Sequence, residues 1–211
     1  MEITIWQDFA CPFCYIGETQ LEEIINKMNL SGDVKMQFRA YQLDPNAPTV
    51  PVESMTQHFM SEHGNTEEEA QHLIERITKM AARVGLDYKL ATAQVCNTFD
   101  AHRLMKYAQD HASQEIFIKL NFEIFHANFI DNLRLSDHNV LLSIAENCAL
   151  DKNEVGKMLE SDMYGEQVRQ DEKEINERKD FELIPYIVFD DNMVLQGVIS
   201  PGAMKKALSS N

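Results

Sequence analysis

Two cysteines separated by two residues carry the first chemistry of this chain: Cys11 and Cys14, in the stretch DFACPFCYIG. That spacing can belong to a zinc site, a structural staple or a redox pair. Zinc needs about four tetrahedral nitrogen or sulfur ligands, usually from a second close pair. The other cysteines, Cys96 and Cys148, stand far apart, and no histidine accompanies either at a ligand spacing. A disulfide closing so short a loop would remove little chain entropy. Redox chemistry suits the pair best. A cysteine at a helix N-terminus faces unpaired backbone N–H groups and the positive end of the helix dipole. Such placement can lower a thiol pKa from about 8.5 into the range of roughly 3.5 to 7.5. Cys11, one residue before Pro12, fits that position, and Cys14 lies one helical turn further on. Cys11 is therefore read as the nucleophile, and Cys14 as the thiol that resolves a mixed disulfide formed at Cys11.

The elements around the pair follow from periodicity. Residues 2–7, EITIWQ, alternate as a strand. From Pro12, a residue suited to a first helical turn, apolar Ile16, Leu21, Ile24, Ile25 and Met28 recur at helical spacing to Leu30, where Ser31-Gly32 marks a stop. A second alternating stretch, VKMQFRAYQL, completes a βαβ unit. The proline-rich DPNAPTVPVE marks an edge. Beyond it Thr66 and Glu69 form a capping box ahead of a helix that runs to Gly85. Further helices are expected at about 97–112, 114–130, 137–148 and 151–178, with Ser136 and Asp151 as caps. PYIVFDDNMVLQG reads as a β-hairpin turning at Asp190-Asp191-Asn192, and Ser200-Pro201 opens a last helix. The fold class is therefore α/β. Segments 1–50 and 182–211 are expected to form one discontinuous domain, with an all-helical domain, 51–181, inserted between them.

Composition excludes other classes. With 211 residues and 44% hydrophobic content the chain can bury a substantial core. A formal net charge of -15 argues against nucleic acid and anionic lipid, which bind clustered Lys and Arg. No run approaches the roughly 18 apolar residues of a membrane span. The opening MEITIWQDF has no basic residues and does not resemble a secretory signal. A cytoplasmic location is expected, and in that compartment a close cysteine pair is more often catalytic or metal-binding than structural.

DFACPFCYIG resembles the active-site segment of DsbA-family thiol–disulfide oxidoreductases of the FrnE-like branch, and NTFDAHRL at 97–104 resembles a second segment of that branch. IPYIVF supplies a third match. The resemblance implies a thioredoxin-like fold with a helical insertion, and a cis-proline facing the CxxC pair, at Pro185 after Ile184. It also implies that Pro12, Phe13, Ile184 and Pro185 touch substrate, a protein or small-molecule disulfide or thiol. The redox-active disulfide is then the only group the chemistry requires, with glutathione as a reductant or substrate. The chain departs from the periplasmic members in having Pro-Phe between its cysteines, with no histidine there, and Asp8 nearby would oppose a thiolate. The lead-in NERKDFELIP lacks the glycines common in relatives. Two alternatives stand beside this reading. One is a glutathione-binding enzyme like the kappa-class glutathione transferases and hydroxychromene-carboxylate isomerases, which generally carry serine at the position of Cys11. The other is a non-catalytic peptide-binding or chaperone module. Cys96 and Cys148 are expected to be buried thiols that pack as small apolar groups. His102 and Arg103 either shape the active-site groove or lie on a helix surface.

Overall fold

A computed structural model describes residues 1–190 and 193–209, the side chain of residue 63 excepted. The described residues form strand β1 (Glu2–Gln7), helix α1 (Pro12–Lys27) and β2 (Lys35–Ala40). Eight α-helices follow in two groups. Seven precede the third strand: α2 (Met55–His63), α3 (Glu67–Ala82), α4 (Phe99–His111), α5 (Gln114–Phe129), α6 (His138–Asn147), α7 (Lys152–Leu159) and α8 (Gly165–Asn176). Then come β3 (Tyr186–Phe189), β4 (Met193–Gln196) and the eighth, α9 (Pro201–Leu208).

The strands form one sheet in the order β2-β1-β3-β4. β1 runs parallel to β2 with Ile5 opposite Phe38, and antiparallel to β3 with Ile5 opposite Ile187. β3 and β4 pair antiparallel. The turn expected between them at 190–192 is described only at Asp190, which has φ +45°. The remaining two residues of that turn lie outside the described residues. Strand period two gives the sheet two faces. Ile3, Ile5, Ile187 and Phe189 join the main core on one side. Trp6, Tyr186 and Val188 pack with Ile175 of α8 on the other. Both faces are covered, so β3 reads as an unbroken apolar run, with all four of its residues buried.

The main core continues without a break from Ile5 and Phe38 of the sheet to Phe125, Leu141 and Val155 of the helices. A buried carboxylate fastens the sheet to the helices on the other face. Asp171 of α8 accepts from Arg39 Nη1 (2.9 Å) and from the Ala40 backbone N–H (2.9 Å), and pairs with Lys106 of α4. Its own carbonyl accepts from Trp6 Nε1 at 3.1 Å.

Three details differ from expectation. The helix expected over 151–178 is two helices, α7 and α8, broken at Tyr164, whose φ is +66°. Buried Arg103 of α4 explains the break. Its Nη2 donates to the Met158 carbonyl (2.6 Å) and its Nε to the Met163 carbonyl (2.8 Å), so a side chain takes carbonyls that a continuing helix would have used. Arg103 is thus neither in the groove nor on the surface. The cap of α6 is Asp137 rather than Ser136, with the Asp137 carboxylate accepting from Asn139 N–H at 2.9 Å. A separate helix, α2, stands before Thr66, opened by a Ser54/Gln57 capping box.

Replacing Asp171 by alanine leaves Lys106 buried without its counter-charge. The variant is expected to lose about 3–5 kcal/mol, measured as a lowered midpoint in urea unfolding at neutral pH.

Candidate functional site

β1 ends at Gln7, and a tight turn delivers Cys11 to the N-cap of α1, with Pro12 at N1. Cys11 N–H donates to the Asp8 carbonyl (3.0 Å) and Cys14 N–H to the Cys11 carbonyl (3.2 Å). No side chain caps this helix, so its first N–H groups face the Cys11 region. Cys11 is 4% exposed and lines a groove of about 480 Å³; Cys14 is fully buried behind it. Burial first, then the neighbouring Cys11 and Glu18, push the Cys14 pKa well up. All four cysteines are free thiols.

The turn is held by Asp8, which is fully buried. Its carboxylate accepts from Ala10 N–H (3.2 Å), Leu43 N–H (2.7 Å) and Thr98 Oγ1 (2.7 Å), and His102 Nε2 stands 3.3 Å away. The segment NTFDAHRL therefore reaches the cysteines through Thr98 and His102, both buried. His102 supports the turn rather than lining the groove, and these polar partners satisfy the Asp8 carboxylate.

Phe13, Pro12 and Ile184 line the same groove as Cys11. The Ile184–Pro185 peptide bond is cis. Pro185 packs on α1 one turn beyond Cys14: a Cβ added to Gly17 would stand 3.3 Å from Pro185 Cγ, so glycine permits the close approach. Of the six expected residues, Cys11, Pro12, Phe13 and Ile184 line the groove, Cys14 is buried one helical turn from Cys11, and Pro185 packs against Gly17 of the same helix. Cys96 also lines the groove. Cys148 is buried at the end of α6, where burial raises its pKa.

Sequence reasoning missed what lies under the pair. Glu18 is fully buried, four residues after Cys14 and so on the same face of α1. Asn121 Nδ2 of α5 donates to its carboxylate at 2.7 Å, and the Gln7 amide lies 2.5 Å from the Asn121 amide. Burial pushes the Glu18 pKa well up against the lowering effect of Asn121. Tyr88 Oη donates to the Pro12 carbonyl at 2.8 Å and stacks between Tyr15 and Phe129. Burial pushes Tyr15 up to about 12. The one available signal for Glu18 was a carboxylate at i+4 on an otherwise apolar helix face.

The raised pKa of Glu18 sets a pH dependence. The folded state holds this proton more tightly than the unfolded chain, whose carboxyl titrates near 4.5. Stability is therefore full below that value and falls as pH rises toward the folded pKa. Glu18→Gln, which keeps the shape of the protonated acid, is expected to be the more stable protein above pH 5. Its advantage should grow by up to about 1.4 kcal/mol per pH unit within that window. Urea unfolding of both proteins from pH 4 to 8 checks this; a constant difference would be the contrary result.

Comparison with known proteins agrees with this geometry. The model of the DSBA-like thioredoxin domain matches residues 2–209. A solved structure described as a probable DsbA oxidoreductase from Streptomyces coelicolor superposes with a TM-score of 0.90 at 27% identity, covering 99% of this chain and 88% of the other. The cytosolic disulfide reductase DsbM from Pseudomonas aeruginosa, solved with GSH, has a TM-score of 0.67 at 13% identity over 100% of this chain and 98% of its own. A 2-hydroxychromene-2-carboxylate isomerase has a TM-score of 0.66 at 14% identity over 94% and 89%. The last two share the fold. The expected α/β architecture, a thioredoxin-like sheet with a large helical complement, is the one observed.

Proposed function

The chain belongs to the DSBA-like thioredoxin domain family, and from that premise we propose that it is a thiol–disulfide oxidoreductase working through Cys11 and Cys14. The observation that carries the reading is the unequal access of two neighbouring thiols, one at a helix N-cap lining a groove and the other fully buried within the first turn of the same helix. The Cys11 thiolate attacks one sulfur of a substrate disulfide, forms a mixed disulfide and releases the other half as a thiol. Cys14 then gives up its proton and attacks Cys11 Sγ. This releases the second substrate thiol and leaves the Cys11–Cys14 disulfide, two electrons having passed to the substrate. Run in reverse, the same steps oxidise a dithiol. The high pKa of Cys14 keeps it a thiol until the mixed disulfide forms, so resolution follows capture.

Pro12, Phe13, Ile184 and Pro185 contact the substrate backbone beside Cys11 in this reading. The electrons reside on the cysteine pair, so no further cofactor enters. Thiol and disulfide compounds, glutathione among them, are the substrate class, in keeping with the DsbM structure that holds GSH. We place the enzyme in the cytosol, as DsbM is described. No helix among the described residues is long and apolar enough to cross a membrane. A glutathione transferase or isomerase reading gains less support, because conjugation makes no use of a second thiol one helical turn from the first.

Cys14→Ala is expected to accumulate mixed disulfides with a model disulfide, seen as mass adducts on Cys11, whereas Cys11→Ser forms none. Adducts in the Cys11 variant and none in the Cys14 variant would reverse the roles; none in either would sink the proposal.

A further inference from the structure

We infer that the groove beside Cys11 takes an extended polypeptide whose cysteine is flanked by apolar and basic residues, in preference to glutathione. This rests on the exchange chemistry proposed above and names its substrate. The groove wall is largely apolar, and two of its residues, Leu43 and Leu183, are 53% and 58% exposed. Apolar surface presented to solvent beside a reactive thiol is suited to side chains that glutathione lacks.

Charge makes the selection. Asp44, Glu62 and Glu182 are exposed on the groove, and among its described lining residues there is no lysine or arginine. The one imidazole, that of His58, already faces Glu53, with Nδ1 2.9 Å from Oε1. Buried Asp8 is occupied by its four partners. A glutathionyl group carries more carboxylates than ammonium groups and would meet like charge with no cation to receive it. Lys or Arg side chains of a peptide would meet three carboxylates. Asn128 also lines the groove; it is 3% exposed, donates to the Phe9 carbonyl at 2.9 Å, and its buried Oδ1 has no partner among the described residues.

The test uses the pre-reduced full chain and four probes that share one reacting bond, a 2-pyridyl disulfide: a Lys-flanked apolar peptide, its Glu-flanked counterpart, glutathione, and neutral 2-hydroxyethanethiol. Cys11 thiolate attacks the probe's alkyl sulfur and expels pyridine-2-thiolate, which takes up a proton to give pyridine-2-thione, read by absorbance. Cys14 then displaces the probe thiol and closes the Cys11–Cys14 disulfide. The Lys peptide is expected to react about tenfold or more faster than the Glu peptide and glutathione at low ionic strength. The gap should narrow at 1 M salt. Asp44→Asn/Glu62→Gln/Glu182→Gln should collapse the ratio of the Lys-peptide rate to the Glu-peptide rate toward one. Neutralising Glu146, Glu154 and Glu160, on α6 and α7 away from the groove lining, should preserve it. Equal rates for the two peptides, glutathione as fast as the Lys peptide, or a gap that survives the groove triple variant would overturn the inference. Failure of all four probes, the neutral one included, would instead overturn the exchange chemistry beneath it.

Discussion

The site depends on one buried carboxylate. Asp8 sits where β1 ends, and four polar groups from three other stretches converge on it: Ala10 in the turn, Leu43 after β2, and Thr98 and His102 at the start of α4. A carboxylate out of water costs several kcal/mol unless its lone pairs are satisfied. The fold meets that demand with a set of donors that also defines the geometry. The Asp8 carbonyl accepts from Cys11 N–H, so the same residue places the nucleophile candidate and joins the helices to the sheet. NTFDAHRL belongs to the site for this reason: its Thr98 and His102 side chains hold the turn that carries the cysteines.

Around that anchor the two cysteines receive different environments. Cys11 has a groove on one side and helix N–H groups on the other. Cys14 has Glu18 below it, with Asn121 and Gln7 behind, in a layer of stacked aromatic rings from Tyr15 to Phe129. A low-dielectric surround strengthens the interaction between the Cys14 and Glu18 protonation states, which are pushed in the same direction by burial. Pro185 closes the arrangement from the far end of the chain, and Gly17 is the residue whose missing side chain lets it approach.

Legibility in the sequence followed the range of the interaction. Thr66 with Glu69, Asp151 and Ser200 were identifiable as caps because each accepts from a backbone N–H two or three residues on. The strand–CxxC–helix order was identifiable for the same reason, since Pro12 and the apolar spacing of α1 are local. The break between α7 and α8 was not, because Arg103 enforces it from more than fifty residues away. His102 was equally compatible with surface and interior until Asp8 was found opposite it. Asp137 displaced Ser136 as a cap by a difference of one residue, the margin within which helix ends are set by competition between neighbouring side chains.

The sequence by itself determined a close cysteine pair at a helix start, an α/β order of elements, and the cis-proline candidate at 185, because short-range spacing and a recognisable family pattern encode them. Tertiary structure alone decided that Asp8 is hydrogen-bonded by partners distant in sequence, that Glu18 lies beneath Cys14, and that the groove presents carboxylates and no described lysine or arginine. The physical reason is distance along the chain. Asn121 meets Gln7 and Glu18 across more than a hundred residues, and the groove wall is assembled from loops before α2, before α4 and before β3. No local pattern records which side chains such a fold will bring together, whereas burial, once they meet, dictates what each must do.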